Sequence, residues 1–298
     1  MKYHNPVLLQ SSVDGLDVKE DGVYVDVTFG GGGHSREVLS RLGVDGRLIA
    51  FDQDEDALAN TIDDSRFLLI NENFRYIKQF LKFYGIKKVD GILGDFGVSS
   101  HQFDKAERGF STRFDADLDM RMSKKNETSA FDVVNKYDYD ALRQVLFQYG
   151  DLRNANAMAN TIIDAREESP IKTTDQLKQV LKKFLPSFKE HKILAQIYQA
   201  IRIEVNQEIQ VIKEFLEQTP DLLEEKGRLS LISYHSLEDR LVKRFIRSGL
   251  FEGEPEKDFY GNIDVPFKKV GGLIVPSADE IASNNRARSA KLRIAQRL

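Results

Sequence analysis

The first hundred residues alternate short apolar segments with helical ones, and this pattern constrains the fold more than any other feature. The segments "GVYVDVTF", "GRLIAFD", "RFLLIN" and "VDGILGDFG" are typical of strands, and helix-like stretches follow the first three. Short apolar strands alternating with helices indicate a parallel sheet that is covered on both faces. We therefore predict an α/β protein.

The pattern changes after residue 108, and we predict a helical insertion over residues 109–200. The sheet-forming core would then consist of residues 1–108 and 201–298. In the second part, "AIRIEVNQEIQVIKEFLEQ" predicts one long amphipathic helix and "GRLSLIS" a fifth strand. Within the insertion, helices are predicted near 128–148, 151–167, 173–185 and 190–202.

Three further elements are predicted towards the C-terminus. "HSLEDRLVKRFI" follows the fifth strand as a helix, with Ser236 as N-cap and Asp239 as its capping-box partner. Residues 252–280 hold three of the seven prolines, which predicts a long surface loop. "SAKLRIAQ" alternates basic and apolar residues as an edge strand does.

Composition excludes several classes of protein. The 298 residues include no cysteine, so a disulfide framework, a thiolate zinc site and a cysteine nucleophile are excluded. The five histidines form no spaced ligand set with acids, and we predict no metal site. No run approaches the roughly 18 apolar residues of a membrane span, and the N-terminus lacks the apolar core of a secretory signal. We expect a soluble, cytoplasmic protein without membrane contact.

The charge of the chain is unevenly distributed. A net charge of −4 weighs against a general nucleic-acid binder. Residues 281–298, however, carry five basic residues and no acid, and "DRLVKRFIR" adds four more. Charge alone leaves two interpretations open, a solvated surface or a docking site for one particular nucleic acid.

Four consecutive glycines, residues 30–33, lie between the first strand and its helix. Such a turn exposes backbone N–H groups and lets a ligand approach the main chain closely. A phosphate-binding P-loop would continue with Lys and Ser or Thr, whereas His34 and Ser35 follow here. A dinucleotide fingerprint would require a further glycine at position 35. The spacing therefore favours a nucleoside without phosphates.

Three acids strengthen this interpretation. Asp26, Asp52 and Asp95 end the first, second and fourth strands, and the carboxyl ends of parallel strands share one edge of the sheet. An acid after the second strand can accept hydrogen bonds from ribose hydroxyls. Each feature alone also fits a tight turn with helix-capping acids. Together they favour a nucleoside carrying positive charge, such as the sulfonium of S-adenosylmethionine.

Many stretches of the chain match one known family. They include "DVTFGGGGHS", "GRLIAFDQD", "VDGILGDFGVSSHQFD", "LDMRM", "GRLSLISYHSLEDRLVKRF" and "NNRARSAKLRIAQR", as well as "HNPVLL" near the N-terminus. The sequence resembles the MraW/RsmH family of S-adenosylmethionine-dependent methyltransferases, which act on N4 of a cytidine in small-subunit ribosomal RNA. The resemblance implies a Rossmann-like class I methyltransferase sheet with an inserted helical domain for RNA recognition. It also implies S-adenosylmethionine as cofactor and 16S rRNA within the small subunit as partner.

The resemblance assigns a role to several positions. It implies that Gly32, Gly33 and His34 in the first loop contact the cofactor. It further implies that Asp52 holds the ribose and that Phe74 packs on the adenine. Asp95 and Gln102 would lie near the methionine end. Phe74 equally fits a core position of its helix. Gly94 replaces a usual large aliphatic residue, and we expect looser packing beneath the site.

The acceptor chemistry requires a further residue. An exocyclic cytosine amine is a weak nucleophile, so methylation needs alignment with the donor and a group that accepts a proton. Asp95 and Asp119 are the candidates, and Asp119 is preferred because the resemblance gives Asp95 to the cofactor. An ion pair of Asp119 with Arg121 or Arg113 is the alternative.

Other residues are predicted to contact RNA. His235 is a candidate catalytic residue that contacts the target base or its phosphate, although a structural hydrogen bond at a helix start fits equally well. Arg202 and Asn206 lie four apart on one predicted helix face and are expected to grip RNA together with Arg286 and Arg288. The target base is expected to be unstacked.

Rival functions remain at this stage. DNA amino-methyltransferases commonly show Asp/Asn/Ser-Pro-Pro-Tyr/Phe after the fourth strand, whereas this chain has "DFGV". A nicotinamide oxidoreductase fits the glycine spacing less well. A ribosome-assembly factor that uses the pocket only as a sensor is the non-enzymatic alternative. The oligomeric state is open, with a homodimer among the alternatives.

Overall fold

The structure is a computed structural model that describes residues 6–261 and 263–298. His4 and Asn5, which begin the stretch "HNPVLL", lie outside the described residues. Within the described ranges, no helix is both long enough and apolar enough to pass through a bilayer.

Seven strands form one sheet in the order β3-β2-β1-β4-β5-β7-β6. The strands are β1 (Val23–Asp26), β2 (Arg47–Phe51), β3 (Phe67–Ile70), β4 (Val89–Asp95), β5 (Leu223–Ser233), β6 (Phe267–Ile274) and β7 (Lys291–Arg297). Neighbours among β1 to β5 pair in parallel, and β7 pairs antiparallel with both β5 and β6. The parallel strands confirm the α/β prediction and place the ends of β1, β2, β4 and β5 at one edge of the sheet.

Twelve α-helices accompany the sheet in the described residues. They are α1 (Leu9–Leu16), α2 (Gly33–Arg41), α3 (Ile77–Phe83), α4 (Ser100–Asp104), α5 (Ala130–Lys136), α6 (Tyr139–Gly150), α7 (Ala155–Glu168), α8 (Thr174–Val180), α9 (Glu190–Asn206), α10 (Glu208–Leu222), α11 (Ser236–Ser248) and α12 (Ala278–Ser283). Short 3₁₀ turns occur at Glu55–Asn60, Phe74–Tyr76, Ala106–Arg108, Lys182–Phe184 and Asn285–Ser289.

The chain forms two compact units. Unit 1 comprises Met1–Gly97 and Ile209–Leu298, and unit 2 comprises Val98–Glu208. The divisions therefore fall after Gly97 and after Glu208, whereas the sequence placed them after residues 108 and 200.

Unit 1 packs apolar side chains on both faces of the sheet. On β1, Tyr24 joins a cluster with residues of α1 and α2, whereas Val25 faces a cluster built by α3, α10 and α11. Val25 lies opposite Ile49 of β2 and Ile92 of β4, which are buried in the same cluster. This alternation arises because successive strand residues point to opposite faces. The sheet is thus held rigidly beneath its carboxyl edge.

Unit 2 has a separate hydrophobic core. Residues of α5, α6, α7 and α9 supply most of it, and Leu142, Leu146, Ile197 and Ile201 are fully buried there. Their spacing of four residues places each pair on one face of its helix. Unit 2 therefore contains a core of its own.

The prediction of one long helix near residue 207 is wrong. α9 ends at Asn206, and Gln207 takes a left-handed conformation with φ of 50° before α10 begins at Glu208. Glutamine is not a residue typical of the left-handed conformation, and the helical spacing of apolar residues continues on both sides of residue 207. The sequence therefore contains no signal for the break.

Two predictions for the C-terminal part are also wrong. β7 is an interior strand between β5 and β6, not an edge strand. The edge strand is β6, and it lies inside residues 252–280, which were predicted to be a loop. The sequence does not predict β6 as a strand, because it contains "VGG" and glycine is unfavourable in strands.

The start of α11 differs from the prediction by one residue. His235 is the N-cap and Glu238 its capping-box partner, in place of Ser236 and Asp239. Asp239 instead accepts a hydrogen bond of 2.7 Å from Nε of Arg293 on β7.

Gly94 does not loosen the packing in β4. A Cβ atom at this position would lie 3.1 Å from side-chain atoms of Leu231 and Val27 and 3.2 Å from the ring of Phe96. These neighbours occupy the space that a larger residue would fill.

Candidate functional site

The glycine turn after β1 requires glycine at two positions for different reasons. Gly32 has a φ of +75°, and a Cβ there would lie 2.9 Å from the ring of Phe29. A Cβ on Gly33, the first residue of α2, would lie 2.1 Å from Cγ of Pro6. The backbone therefore has no room for side chains here, and the loop presents bare main chain at the carboxyl edge of the sheet.

Asp52 holds this turn in place from the end of β2. Its Oδ2 accepts a hydrogen bond of 2.7 Å from the backbone N–H of Gly30, and its Oδ1 accepts one of 2.8 Å from Asp54. Asn60 also donates to the carbonyl of Gly30 at 2.9 Å. Each carboxylate oxygen can accept more than one hydrogen bond, so Asp52 can bind a ligand hydroxyl while it fixes the loop.

Asp26, at the end of β1, has a mainly structural position. It is buried, its Oδ2 accepts a hydrogen bond of 2.7 Å from the hydroxyl of Ser35, and its Oδ1 accepts one of 3.1 Å from the backbone of Thr28. The carboxylate thus links the turn to the first residues of α2.

Asp95 ends β4 and is bound to a tyrosine that the sequence analysis missed. The hydroxyl of Tyr234, directly after β5, donates to Oδ1 of Asp95 at 2.8 Å. The backbone N–H of Asp95 donates to Oγ1 of Thr28 at 2.6 Å. The sequence contains a signal for Tyr234, because this residue follows a strand end at the same edge as the three acids and lies in the quoted stretch "GRLSLISYHSLEDRLVKRF".

The electrostatics of this edge favour a cationic ligand. Burial raises the pKa of Asp26, Asp52 and Asp95 to about 6 in each case. Loss of hydration destabilises the charged carboxylates, and a bound cation would restore favourable interactions. Arg36 reaches the turn but donates to the carbonyl of Gly31. The edge is therefore better suited to a sulfonium than to a pyrophosphate.

His34 is buried beside the turn. Its Nε2 lies 3.1 Å from the carbonyl oxygen of Val7, and because a carbonyl only accepts, this nitrogen carries the proton. The imidazole also favours the ionised form of Asp95, which lowers the pKa of that carboxyl against the effect of burial. The ring is thus fixed between the N-terminal segment and the sheet edge.

Phe74 packs in the core of unit 1, which is one of its two predicted roles. Its contact with an adenine stays a prediction. Its ring centroid lies 5.4 Å from that of Phe215 and 5.9 Å from that of Phe96. The residue is only partly buried, so part of the ring stays accessible. Asn73, which precedes it, donates to the side chain of Gln53 at 2.9 Å and fixes the entry to the 3₁₀ turn.

Unit 2 contains the predicted Asp119. Its Oδ1 accepts a hydrogen bond of 2.7 Å from Nε of Arg121, so the ion pair considered as the alternative is present. Asp119 also lines an open cavity of about 370 Å³ together with Arg121, Ser129, Phe131 and Lys172. A carboxylate, an aromatic ring and a lysine thus share one cavity.

Two other predicted residues of unit 2 are committed to hydrogen bonds within it. The side chain of Asn206 accepts from the backbone of Met122 at 2.7 Å and donates to the carbonyl of Met120 at 2.8 Å. Since Asn206 is only 4% exposed, it supports the "MRM" segment and does not grip RNA directly. The guanidinium of Arg202 makes two hydrogen bonds to Glu208, of 2.7 and 2.9 Å.

Gln102 and His235 each belong to the capping box of a helix. Gln102 is buried in the capping box of α4, where its Oε1 accepts from the backbone of Ser99 at 3.1 Å. Nδ1 of His235 accepts from the backbone of Glu238 at 3.4 Å, and its Nε2 lies 3.0 Å from Oε1 of the same residue. For His235, this is the structural role considered from the sequence.

Some of the basic residues near the C-terminus are exposed, whereas others bind an acid of the protein itself. Arg288 is exposed on its 3₁₀ turn and Arg286 is partly buried next to it. Arg293 and Lys291 of β7 both approach the carboxylate of Asp239, at 2.7 and 3.5 Å. The excess of positive charge near the end of the chain therefore serves partly to join β7 to α11.

The fold and the site together define a class of protein. A doubly wound sheet with a bare glycine turn after β1 and an acid after β2 is a Rossmann-like nucleoside-binding fold. The paired antiparallel strands β6 and β7 complete the seven-stranded sheet, and the helical unit 2 is inserted in the chain between β4 and β5.

Comparisons with known proteins identify the family. The chain belongs to the MraW methylase family, whose model matches residues 1–298. It is 70% identical to "Ribosomal RNA small subunit methyltransferase H" of Christiangramia forsetii and 69% to the protein of that name from Flavobacterium johnsoniae, over all of this chain and 99% of each relative. The protein of that name from Bacteroides thetaiotaomicron is 50% identical over all of this chain and 98% of its own.

Solved structures give a much weaker similarity. An rRNA methylase from Streptococcus thermophilus aligns over 100% of this chain and 99% of its own with a TM-score of 0.44 and 13% identity. That level of similarity does not by itself establish a shared function.

The residues at the sheet edge fit S-adenosylmethionine, the cofactor of this family. The fit rests on the acceptor oxygens of Asp52 beside the glycine turn and on the carboxyl groups of Asp52 and Asp95, which have lost hydration. A ligand with a ribose and a positive charge would satisfy both features.

Proposed function

We propose that this protein transfers the methyl group of S-adenosylmethionine to the N4 amine of a cytidine in 16S rRNA of the small ribosomal subunit. The proposal draws on the family match along the whole chain and on the relatives' printed name. The single observation that carries it is the glycine turn locked by Asp52 beside a second acid, Asp95.

The residues of unit 1 would hold the cofactor. Bound S-adenosylmethionine supplies an electrophilic methyl group on its sulfonium. Asp52 would accept hydrogen bonds from the ribose hydroxyls, and the partly accessible ring of Phe74 would pack on the adenine. The main chain at Gly32 and Gly33 would contact the ligand, and Asp95 would interact with its cationic end.

The acceptor base needs a separate set of contacts, and the cavity of unit 2 offers them. Phe131 provides a ring on which a pyrimidine stacks, and Asp119 provides an oxygen that accepts a hydrogen bond from the amine. Arg121 keeps this carboxylate oriented through the bond of 2.7 Å. As the amine attacks, it gains positive charge and loses a proton, and we propose that Asp119 accepts that proton.

The same proposal includes the setting in which the enzyme acts. We propose that the substrate is unstacked rRNA in small subunits in the cytoplasm. Exposed basic residues, Arg288 among them, would contact the phosphate backbone. For Arg202, whose guanidinium Glu208 already binds, we propose only an indirect role. Sedimentation of the purified protein decides whether a homodimer forms.

A methyl-transfer assay tests the proposed function. Labelled S-adenosylmethionine is incubated with small subunits, free 16S rRNA and DNA, and the digested nucleosides are separated. We expect label in N4-methylcytidine from small subunits or 16S rRNA and none from DNA. Label only in DNA, or no transfer to any of the three, would contradict the proposal.

The role of Asp119 is tested by Asp119→Ala. We expect turnover to fall by at least about 100-fold, in the range that a general base contributes, with unchanged cofactor affinity. Asp140→Ala is the control, because it removes an exposed carboxylate that also lies near an arginine of unit 2. Wild-type turnover in Asp119→Ala would exclude Asp119 as the proton acceptor.

A further inference from the structure

A second surface of unit 2 combines positive charge with an exposed aromatic ring. It lies on the 3₁₀ turn Lys182–Phe184 and on the segment that leads into α9. We define the basic-aromatic surface as the side chains of Lys182, Lys183, Phe188, Lys189 and Lys192, all of which are exposed. None of these residues belongs to the cavity that contains Asp119.

The backbone beneath this surface is fixed by packing and hydrogen bonds. Leu181 and Leu185 are buried in the core of unit 2. The N–H of Leu185 donates to the carbonyl of Lys182 at 3.0 Å, and that of Lys189 donates to Pro186 at 2.8 Å. The exposed side chains are therefore presented from an ordered turn, which reduces the entropy lost when a ligand binds.

Positive charge is concentrated here in a protein that is negative overall. Residues 178–192 contain five lysines and one acid, Glu190, whereas the whole chain carries a net charge of −4. Lys178 binds Glu190 at 2.7 Å and lowers the pKa of that carboxyl. In the part of the chain that the structure describes, no carboxylate lies within 4.0 Å of the lysine ammonium groups of the basic-aromatic surface.

Phe188 adds a feature that a merely solvated surface does not need. Its side chain is 79% exposed, so it contributes little to the core. Nζ of Lys189 lies 5.3 Å from its ring centroid, and Nζ of Lys183 lies 5.2 Å from the ring of Phe184. An accessible ring next to an ammonium group, in a segment rich in lysine, is a combination with which proteins bind unpaired nucleotides, since bases stack on the ring while cations contact phosphates.

We propose that the basic-aromatic surface binds an unpaired segment of rRNA, with a base stacked on Phe188 and the lysines on the adjoining phosphates. This inference rests on the proposed function, because it takes the substrate to be 16S rRNA. It assigns unit 2 an anchoring contact separate from the cavity that receives the target base. An acidic protein partner is the competing occupant.

The chain provides a matched control for the aromatic residue. Phe83, at the end of α3 in unit 1, is 78% exposed and, like Phe188, is adjacent in sequence to a lysine, Lys82. We compare Phe188→Ala with Phe83→Ala, and the pair Lys183→Gln/Lys189→Gln with Lys82→Gln/Lys87→Gln. Cofactor titration establishes that unit 1 of each variant is intact, and urea unfolding establishes the same for unit 2, which has its own core.

Affinity for 16S rRNA is measured by filter binding over a range of salt concentrations. We expect Phe188→Ala to bind at least about fivefold more weakly, the lower end of what one base stacked on an aromatic ring contributes. The lysine pair should reduce the slope of log affinity against log salt by about 1.4, since each single-strand phosphate contact contributes roughly 0.7. Both control variants should bind like the wild type.

Other outcomes separate this inference from the proposed function. If the wild type methylates small subunits and both surface variants bind rRNA like their controls, the surface proposal alone is wrong. If the surface variants instead lose binding to a ribosomal protein and keep their RNA affinity, the occupant is a protein and the proposal is again wrong. If the wild type neither binds nor methylates 16S rRNA, the proposed function fails as well.

Discussion

Tyr234→Phe removes one hydroxyl from the site and tests the electrostatic account of Asp95. The hydroxyl donates to the carboxylate at 2.8 Å and favours its ionised form. Burial and the neighbouring carboxylate raise the pKa of Tyr234 well above its ordinary value, so the tyrosine remains a donor throughout the neutral range. Without it, the pKa of Asp95 must rise further.

The size of the shift follows from the strength of such a bond. A hydrogen bond to a charged group contributes about 1.5–3 kcal/mol, and one pKa unit corresponds to about 1.4 kcal/mol. Taking the lower limit, the pKa of Asp95 rises from about 6 to about 7. At pH 6 the ionised fraction then falls from about one half to about one tenth, a fivefold loss, whereas above pH 8 the two proteins are nearly equal.

Calorimetric titration with S-adenosylmethionine between pH 5.5 and 8.5 measures this difference. Asp26 and Asp52 titrate alike in both proteins and cancel in the ratio of affinities. We expect the ratio of wild type to variant to be about fivefold larger at pH 6 than above pH 8. Tyr137→Phe is the control, because it removes a hydroxyl that donates to Glu204 at 2.7 Å in unit 2. A ratio that does not change with pH would refute the reasoning.

Three further predictions concern stability and binding. Asn206→Ala removes two buried hydrogen bonds, one from the N–H of Met122 and one to the carbonyl of Met120, so urea unfolding should show a loss of about 2–4 kcal/mol. A loss below about 1 kcal/mol would contradict the buried role. Gly32→Ala should weaken cofactor binding at least about tenfold in calorimetry. Gly85→Ala should not weaken it, because Gly85 has a similar φ of +73° but open space around it. Equal effects of the two substitutions would mean that only backbone strain matters. Asp95→Asn should abolish most methyl transfer yet stabilise the ligand-free protein at pH 7.5 by about 1–2 kcal/mol in thermal unfolding. The reason is that an acid whose pKa is raised by folding makes the folded protein less stable as the pH rises from about 4 to about 6. A variant less stable than the wild type would contradict this argument.

The strands β1 to β4 and the residues at their carboxyl ends could be predicted correctly from the sequence. The alternation of strands and helices located β1 to β4, and the acids at their ends were recognised because parallel strands bring their carboxyl ends to one edge. Tyr234 obeys the same rule, but the acids alone were considered. Its role becomes clear only when the hydroxyl is seen to donate to Asp95.

Contacts between distant segments could not be read in this way. Asn206 looked like a surface residue four positions from Arg202, because nothing local shows that residues 120 and 122 bond to its amide. β7 looked like an edge strand because its pairing with β6 depends on a segment rich in glycine and proline. The break at Gln207 depends on one left-handed residue within continuous periodicity.

Titration of the purified protein with S-adenosylmethionine and, in parallel, with NAD tests the central claim most directly. That claim is that the turn locked by Asp52 holds a cationic nucleoside. We predict saturable binding of one S-adenosylmethionine per chain, weakened in Gly32→Ala and unchanged in Gly85→Ala, and no binding of the dinucleotide. Failure to bind S-adenosylmethionine, or tighter binding of NAD, would contradict the account.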